Sequence, residues 1–73
     1  MTKNGDTIQK EGTVMETLPG ELFKVQLDGE TGTVLGYISG RMRIHRIRVL
    51  LGDRVEMEFS PHDRTRGRIT RRN

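Results

Sequence analysis

Hydrophobic and polar residues alternate along much of the chain. The two clearest segments are 23–27 (FKVQL) and 54–59 (RVEMEF), in which every second residue is apolar. A period of two places successive side chains on opposite faces of a β-strand, so each segment predicts a strand with one apolar face. Upstream, residues 8–18 are rich in β-branched side chains and predict a long first strand, with Gly12 where a strongly bent barrel strand would kink.

Turn residues separate the first three predicted strands. Pro19 and Gly20 predict a reversal after the first strand. Residues 28–32 (DGETG) predict a hairpin into a third strand over 33–38, because their two glycines supply the positive φ that a tight reversal needs. The first half of the chain is therefore predicted to be a three-stranded meander.

The second half begins with a change of pattern. Residues 39–45 (SGRMRIH) have no period of two and predict one short helical turn capped by Ser39. Beyond it, the sequence predicts an extended segment over 47–51, a turn at 52–53, a fourth strand that is broken at 60–63, and a fifth strand over 67–71.

This order of elements predicts the fold class. Three strands, a helical turn and two further strands are typical of an all-β, five-stranded OB-fold Greek-key barrel. An SH3-like barrel also has five short strands, but the helical turn between strands 3 and 4 favours the OB fold. We expect one RNA-binding domain over residues 1–73, with residues 1–7 and 72–73 as flexible tails because they carry little that could pack.

Composition restricts the classes of function. The chain has no cysteine and two histidines without ligand spacing, so neither disulfides nor a metal site are expected. We find no nucleophile motif, no Gly-rich phosphate loop and no carboxylate pair in an apolar setting, and therefore predict no enzymatic activity, no cofactor and no small-molecule substrate. The sequence also has no apolar run of membrane-spanning length and no signal-peptide core, which predicts a cytoplasmic protein with no membrane partner. Its small size and lack of surplus apolar residues predict a monomer.

Charge is distributed unevenly. Residues 1–38 hold three basic and six acidic side chains, net −3, whereas residues 39–73 hold ten basic and four acidic side chains, net +6. Every basic residue of the second half is an arginine, whose planar guanidinium binds phosphate with two prongs and stacks on bases. RNA is therefore the expected partner, although composition alone fits equally well with arginines that only maintain solubility.

Six sequence segments resemble a known family. They are 12–19 (GTVMETLP), 23–27 (FKVQL), 38–43 (ISGRMR), 47–50 (IRVL), 52–55 (GDRV) and 67–69 (GRI). In this order and spacing they closely resemble bacterial translation initiation factor one, over nearly the whole chain. In that family Tyr37 often corresponds to a histidine, His62 to a tyrosine and Arg46 to an aromatic residue, and the hairpin at 28–32 is one residue longer here.

The resemblance implies a function and partners. It implies an OB-fold factor that binds the small ribosomal subunit through rRNA at the decoding (aminoacyl-tRNA) site and supports initiation factors two and three. Two alternatives remain: a general single-stranded RNA binder or RNA chaperone of the cold-shock kind, whose aromatic-rich motifs are absent here, and a protein-protein adaptor.

The candidate rRNA-binding residues follow from the basic stretches and the resemblance. They are Lys3, Tyr37, Arg41, Arg43, Arg46, Arg48, His62, Arg64, Arg66, Arg68 and Arg72. We expect Arg46 and Arg48, and likewise Arg66 and Arg68, to form outward rows while Ile47, Val49 and Ile69 face the core. Phe23 and Phe59 are expected in the core with Met15, Met42 and Met57, whereas Tyr37 fits either barrel packing or a stacking platform.

Overall fold

The computed structural model describes residues 7–73 of the chain. They form β1 (Ile8–Leu18), β2 (Leu22–Leu27), β3 (Val34–Ile38), α1 (Gly40–Ile44), β4 (Arg54–Ser60) and β5 (Asp63–Arg72). The strands close into one barrel in the order β1-β2-β3-β5-β4, with β3 and β5 parallel and the other neighbours antiparallel. The predicted all-β barrel with a helical turn between strands 3 and 4 is confirmed. The expected tail over residues 1–7 lies almost wholly outside the described residues.

Barrel closure depends on β1, which pairs with two strands. Gly12 lies at the changeover, since it is opposite Leu27 of β2 and also opposite Val55 of β4. A Cβ at this position would lie 2.5 Å from the backbone oxygen of Gln26, so only glycine allows the two backbones to approach this closely.

A β-bulge follows in the same strand. The register of β1 against β2 shifts between Val14 and Glu16, which leaves Met15 as the extra residue. Met15 is 55% exposed, so the prediction that it fills the core is wrong. The alternation of side chains that the sequence suggested is interrupted at this bulge.

Ten hydrophobic side chains fill the barrel. They are Val14, Phe23, Val25, Leu27, Met42, Val49, Val55, Met57, Phe59 and Ile69. Nearly all come from alternate positions of β1, β2, β4 and β5, as the period-two pattern predicted. Met42 of α1 and Val49 of the following segment complete the cluster, and burial of each such side chain contributes about 1.5–3 kcal/mol. The predictions for both phenylalanines, Met42 and Met57 are confirmed.

The short helix has a defined beginning and end. At its start, the backbone N–H of Met42 donates to the hydroxyl of Ser39 at 3.2 Å, which confirms the predicted cap. At its end, the N–H groups of Arg46 and Ile47 donate to the carbonyls of Arg43 and Met42 at 3.1 and 2.9 Å. This pair of bonds is a Schellman motif with Arg46 in the left-handed position.

The chain after the helix is irregular. The left-handed residue redirects the backbone, and residues 47–50 form no strand. Val49 is buried as predicted, whereas Ile47 is 41% exposed, so the prediction that it faces the core is wrong. Simple alternation fails here because the segment is a connection and not part of the sheet.

β5 is longer than predicted at both ends. It begins at Asp63, whose carboxylate accepts hydrogen bonds from the Thr65 N–H at 3.0 Å and the Thr65 hydroxyl at 2.7 Å. At the other end Arg72 is paired with Val55, and the N–H of Asn73 donates to the carbonyl of Arg54 at 2.9 Å. Residues 72–73, expected as a flexible tail, are thus hydrogen-bonded to the barrel. Within residues 7–73, no helix combines the length and apolar character needed to cross a bilayer.

Candidate nucleic-acid interface

Ion pairing divides the arginines of the basic half into two groups. Of the nine acidic side chains in residues 7–73, eight are within 4.0 Å of a basic side chain, and the ninth, Asp63, is hydrogen-bonded to Thr65. Eight of these nine carboxylates are therefore already neutralised locally. The positive charge that remains available to a ligand comes from arginines without such partners.

Five arginines are bound to carboxylates. The pairs are Arg43 with Glu21 (2.9 Å), Arg54 with Asp28 (2.6 Å) and Glu11 (3.4 Å), Arg68 with Glu58 (2.5 Å), Arg71 with Glu56 (3.7 Å) and Arg72 with Asp53 (3.8 Å). All are solvent-accessible, so each pair contributes little to stability. Their effect on a ligand is larger, because a paired guanidinium is less available to a phosphate.

The other five arginines have no ion pair with any side chain of residues 7–73. They are Arg41, Arg46, Arg48, Arg64 and Arg66, and all are exposed. Every one of them is a predicted site residue. We refer to this set as the unpaired arginines.

Three unpaired arginines lie around α1, where two shallow grooves meet. The first, which we call the helix groove, has a volume of about 490 Å³; it is lined by five arginines (Arg41, Arg46, Arg48, Arg71 and Arg72) and by His45. The second, the turn groove, has a volume of about 610 Å³ and is lined by Glu21, Phe23, Ile38, Arg43, Arg46, Ile47, Arg48 and Val49. Residues 46–48 line both grooves and form the ridge between them.

The turn groove has an apolar floor and a charged rim. Phe23 and Val49 are buried, while Arg43 and Glu21 form an ion pair at its edge. On the helix-groove side, Arg72 donates to the backbone carbonyl of Arg48 at 2.6 Å, which ties the end of β5 to the ridge. The Arg48 side chain is left free to face solvent.

β5 extends the cationic surface along the barrel. Arg66 and Arg68 point outward, as predicted, and are opposite Leu35 and Tyr37 of β3. Tyr37 is 42% exposed and lines a third groove with Arg68 and Glu58. Tyr37 is therefore placed beside a basic residue, and its role as a stacking platform stays a prediction.

Two further candidates, Arg64 and His62, lie at the start of β5. Arg64 shares a small pocket with Lys10 and Glu30, which form an ion pair at 2.6 Å. His62 is exposed in the β4–β5 turn, as is His45 beyond α1, in agreement with the expectation of solvent-exposed histidines. Lys3 lies outside the described residues.

These positions form a strip and not a compact cluster. Arg64 and Arg72 are eight residues apart on β5, which corresponds to roughly 26 Å at 3.3 Å per residue. From the end of β5 the strip continues onto α1 and the ridge. Because β5 neighbours only β3 and β4, the β5 part of the strip lies on the wall opposite β1 and β2, whereas the ridge lines the turn groove together with Glu21 and Phe23. Among the ten arginines of residues 39–73, Arg54 lies outside the strip, because it is ion-paired with Asp28 and Glu11 on the β1–β2 wall.

The sequence did not identify two residues of this surface. Arg71 lines the helix groove because a bulge at Thr70 shifts the register, so that Glu56 is opposite Arg71 while Met57 is opposite Ile69. No residue type marks that bulge in the sequence. Glu21 lines the turn groove with φ +60, and its position directly after Gly20 was the only available signal.

Two carboxyl groups have perturbed acidity, and both are explained by local bonds. Hydrogen bonds from Arg54 lower the pKa of Asp28 below its ordinary value of 3.8. Hydrogen bonds from the hydroxyl and backbone N–H of Thr65 do the same to the pKa of Asp63. Across residues 7–73, no three histidine, aspartate or glutamate side chains are grouped so as to hold a metal ion.

Comparisons with known proteins agree with this architecture. The sequence model of the family "Translation initiation factor 1A / IF-1" matches residues 1–73. The solution structure of translation initiation factor one from the Wolbachia endosymbiont of Brugia malayi is similar, with 40% identity and a TM-score of 0.78 over 97% of this chain and 83% of that chain. The crystal structure of YjeQ from Thermotoga maritima is similar at 25% identity and a TM-score of 0.70, over 90% of this chain but only 23% of that chain.

Proposed function

The chain belongs to the translation initiation factor 1A / IF-1 family, and we propose that it binds the small ribosomal subunit at the decoding site through rRNA. Membership makes it a translation initiation factor, an RNA-binding OB-fold protein and not an enzyme.

The observation that supports this proposal is the distribution of unpaired arginines. All five lie on β5, on α1 or on the ridge, and none lies on the β1–β2 wall. These five guanidinium groups have no carboxylate of residues 7–73 within 4.0 Å, so each can bind a phosphate oxygen without first breaking an ion pair. A row roughly 26 Å long suits the backbone of folded RNA.

The scarcity of aromatic residues defines the mode of binding. Phe23 and Phe59 are buried in the barrel, and the chain has no tryptophan, which leaves Tyr37 as the one exposed phenylalanine, tyrosine or tryptophan side chain in residues 7–73. Base stacking can therefore contribute little, and recognition depends on charge and on RNA shape. This argues against a general single-strand binder, which needs several stacking platforms.

Within this proposal the candidate residues have different roles. The unpaired arginines contact phosphates directly, and Arg43, Arg68 and Arg72 contribute where the RNA can compete with their carboxylate partners. Tyr37 and His62 are flat groups at the edges of the strip. The factor acts in the cytoplasm, bound to the small subunit together with initiation factors two and three.

Co-sedimentation tests the proposed function. The protein is mixed with purified small subunits, with large subunits or with a free single-stranded RNA. Bound protein is then separated from free protein, by pelleting in the case of the subunits. We expect selective binding to the small subunit and protection of decoding-centre nucleotides from chemical probes. Equal affinity for both subunits and the free RNA would instead indicate an RNA chaperone. Binding that protects a different rRNA region would refute binding at the decoding site.

Arginine variants connect that binding to the strip. Arg41→Gln and Arg66→Gln each remove one unpaired arginine, from α1 and β5 respectively, and are expected to weaken small-subunit binding without lowering the unfolding temperature. Lys24→Gln is the matched control, because Lys24 lies on the β1–β2 wall next to Glu16 and its loss changes net charge by the same amount. Equal weakening by all three variants would contradict a localised interface.

A further inference from the structure

Two non-glycine residues in the described part of the chain have a positive φ. They are Glu21, with φ +60, and Arg46, with φ +57. Side chains at such positions crowd the backbone, and glycine or asparagine is normally found there. Residues in such strained backbone conformations persist only where the surrounding structure enforces them, and they concentrate at ligand-binding sites.

Both residues line the turn groove. Glu21 enters it from the β1–β2 turn and Arg46 from the ridge that follows α1. Glu21 holds Arg43 on the rim at 2.9 Å, whereas Arg46 has no ion pair with any side chain of residues 7–73. The strain and the unpaired charge therefore occur at the same place.

The helix does not need an arginine at this position. Arg46 is the left-handed residue of the Schellman motif that ends α1, and only its backbone N–H takes part, donating to the Arg43 carbonyl. Glycine would satisfy the same hydrogen bonds with less strain. What arginine adds is a guanidinium at the junction of the two grooves.

We propose that Arg46 is kept in its strained conformation to bind one rRNA phosphate at the turn groove, at the expense of the stability of the free protein. This inference deepens the proposed function and rests on it. If Arg46 binds RNA in this way, its replacement should lower the affinity for RNA and raise the stability of the free protein. A residue that merely maintained the fold would shift both in the same direction.

Three substitutions at one position test the proposal. Arg46→Gly and Arg46→Asn remove the charge and relieve the strain, and asparagine does so without the added flexibility of glycine. We expect both to raise the unfolding temperature, by about 2–6 °C for glycine in a domain of this size. We expect both to weaken binding to purified small subunits by roughly tenfold and to reduce the slope of log affinity against log salt by about 0.9.

Arg46→Lys keeps both the charge and the strained conformation. It is expected to leave the unfolding temperature unchanged and to retain the wild-type salt slope, with a modest loss of affinity because lysine lacks the two-pronged geometry. Lys24→Gln again controls for net charge. If Arg46→Gly and Arg46→Asn lower affinity and unfolding temperature together, or bind within twofold of wild type, the proposal is overturned.

The same series separates this inference from the proposed function. Arg41→Gln and Arg66→Gln remove unpaired arginines that have no strained backbone. If these two weaken small-subunit binding while the position-46 variants do not, Arg46 is not a phosphate ligand and the interface stands. If none of the variants weakens binding, the interface itself is refuted.

Discussion

Glu58 is predicted to lower the affinity of the protein for RNA. Its carboxylate contacts the Arg68 guanidinium at 2.5 Å, in a groove that also contains Tyr37. A phosphate that reaches Arg68 from the solvent side must approach this carboxylate. Glu58→Gln removes the negative charge, keeps the size of the side chain and retains an oxygen that can accept from Arg68.

The magnitude follows from the geometry. A phosphate on the far side of the guanidinium would lie roughly 6 Å from the Glu58 carboxylate. Two like charges at this distance repel by about 0.7 kcal/mol in water and by about 3 kcal/mol at an effective dielectric constant of 20. Because Arg68 is half exposed, the lower value applies more closely, and Glu58→Gln should strengthen small-subunit binding by roughly three- to tenfold.

A double-mutant cycle isolates the local effect. Arg68→Gln alone removes a phosphate ligand and also leaves Glu58 uncovered, so it should weaken binding more than Arg41→Gln does. Adding Glu58→Gln to Arg68→Gln should recover part of that loss. Affinities are measured by fluorescence anisotropy with a labelled protein and purified small subunits at fixed salt.

Glu16→Gln provides the matched control. It changes net charge by the same amount, but Glu16 lies on the β1–β2 wall beside Lys24 at 3.6 Å. At physiological salt, screening over about 8 Å should reduce its effect to less than twofold. If Glu58→Gln and Glu16→Gln strengthen binding equally, net charge alone governs affinity, and RNA does not bind to a localised strip.

Three further predictions concern the fold. Gly67→Ala should lower the free energy of unfolding by about 1–3 kcal/mol in urea denaturation, because the added Cβ would lie 2.8 Å from the Phe59 ring; an unchanged midpoint would show that this contact relaxes freely. Ser39→Ala should cost about 1 kcal/mol by removing the helix cap, while Ser39→Asp should retain most of the stability if capping is the reason. The lowered pKa of Asp28 means that its contribution to stability is present above the ordinary pKa of an aspartate and is lost as pH falls through the lower pKa of the folded state. Thermal unfolding between about pH 5 and pH 3 should therefore show a smaller loss of stability in Arg54→Gln than in wild type, and equal losses would exclude Arg54 as the cause.

The sequence predicted the strands because their burial alternates regularly. The positions of β2 and β4 follow directly from alternating apolar residues, and the Ser39 cap follows from residue type. Each of these depends on local chemistry, and local chemistry is what a sequence displays.

The errors come from three places where the backbone leaves its regular path. Bulges displace Met15 to the surface and bring Arg71 into the helix groove, and the left-handed residue after α1 exposes Ile47. A bulge arises from the fit between two strands that are distant in sequence, so neither strand marks it alone.

The sequence predicted most residues of the candidate site but not how they are arranged. All five unpaired arginines were among the predicted residues. Their separation from the paired arginines was not visible, because an ion pair such as Arg68 with Glu58 or Arg43 with Glu21 requires the closed barrel. The sequence indicated which residues are basic, and the fold determines which of them are available to RNA.

The salt dependence of small-subunit binding measures how many phosphates the unpaired arginines neutralise. If the five unpaired arginines each neutralise one rRNA phosphate, log affinity should fall linearly with log salt concentration with a slope of order −4. Removing Arg41, Arg48 and Arg66 together, each as the glutamine variant, should reduce the slope to about −2. A wild-type slope near zero, or a slope that the triple variant leaves unchanged, would contradict binding through this surface.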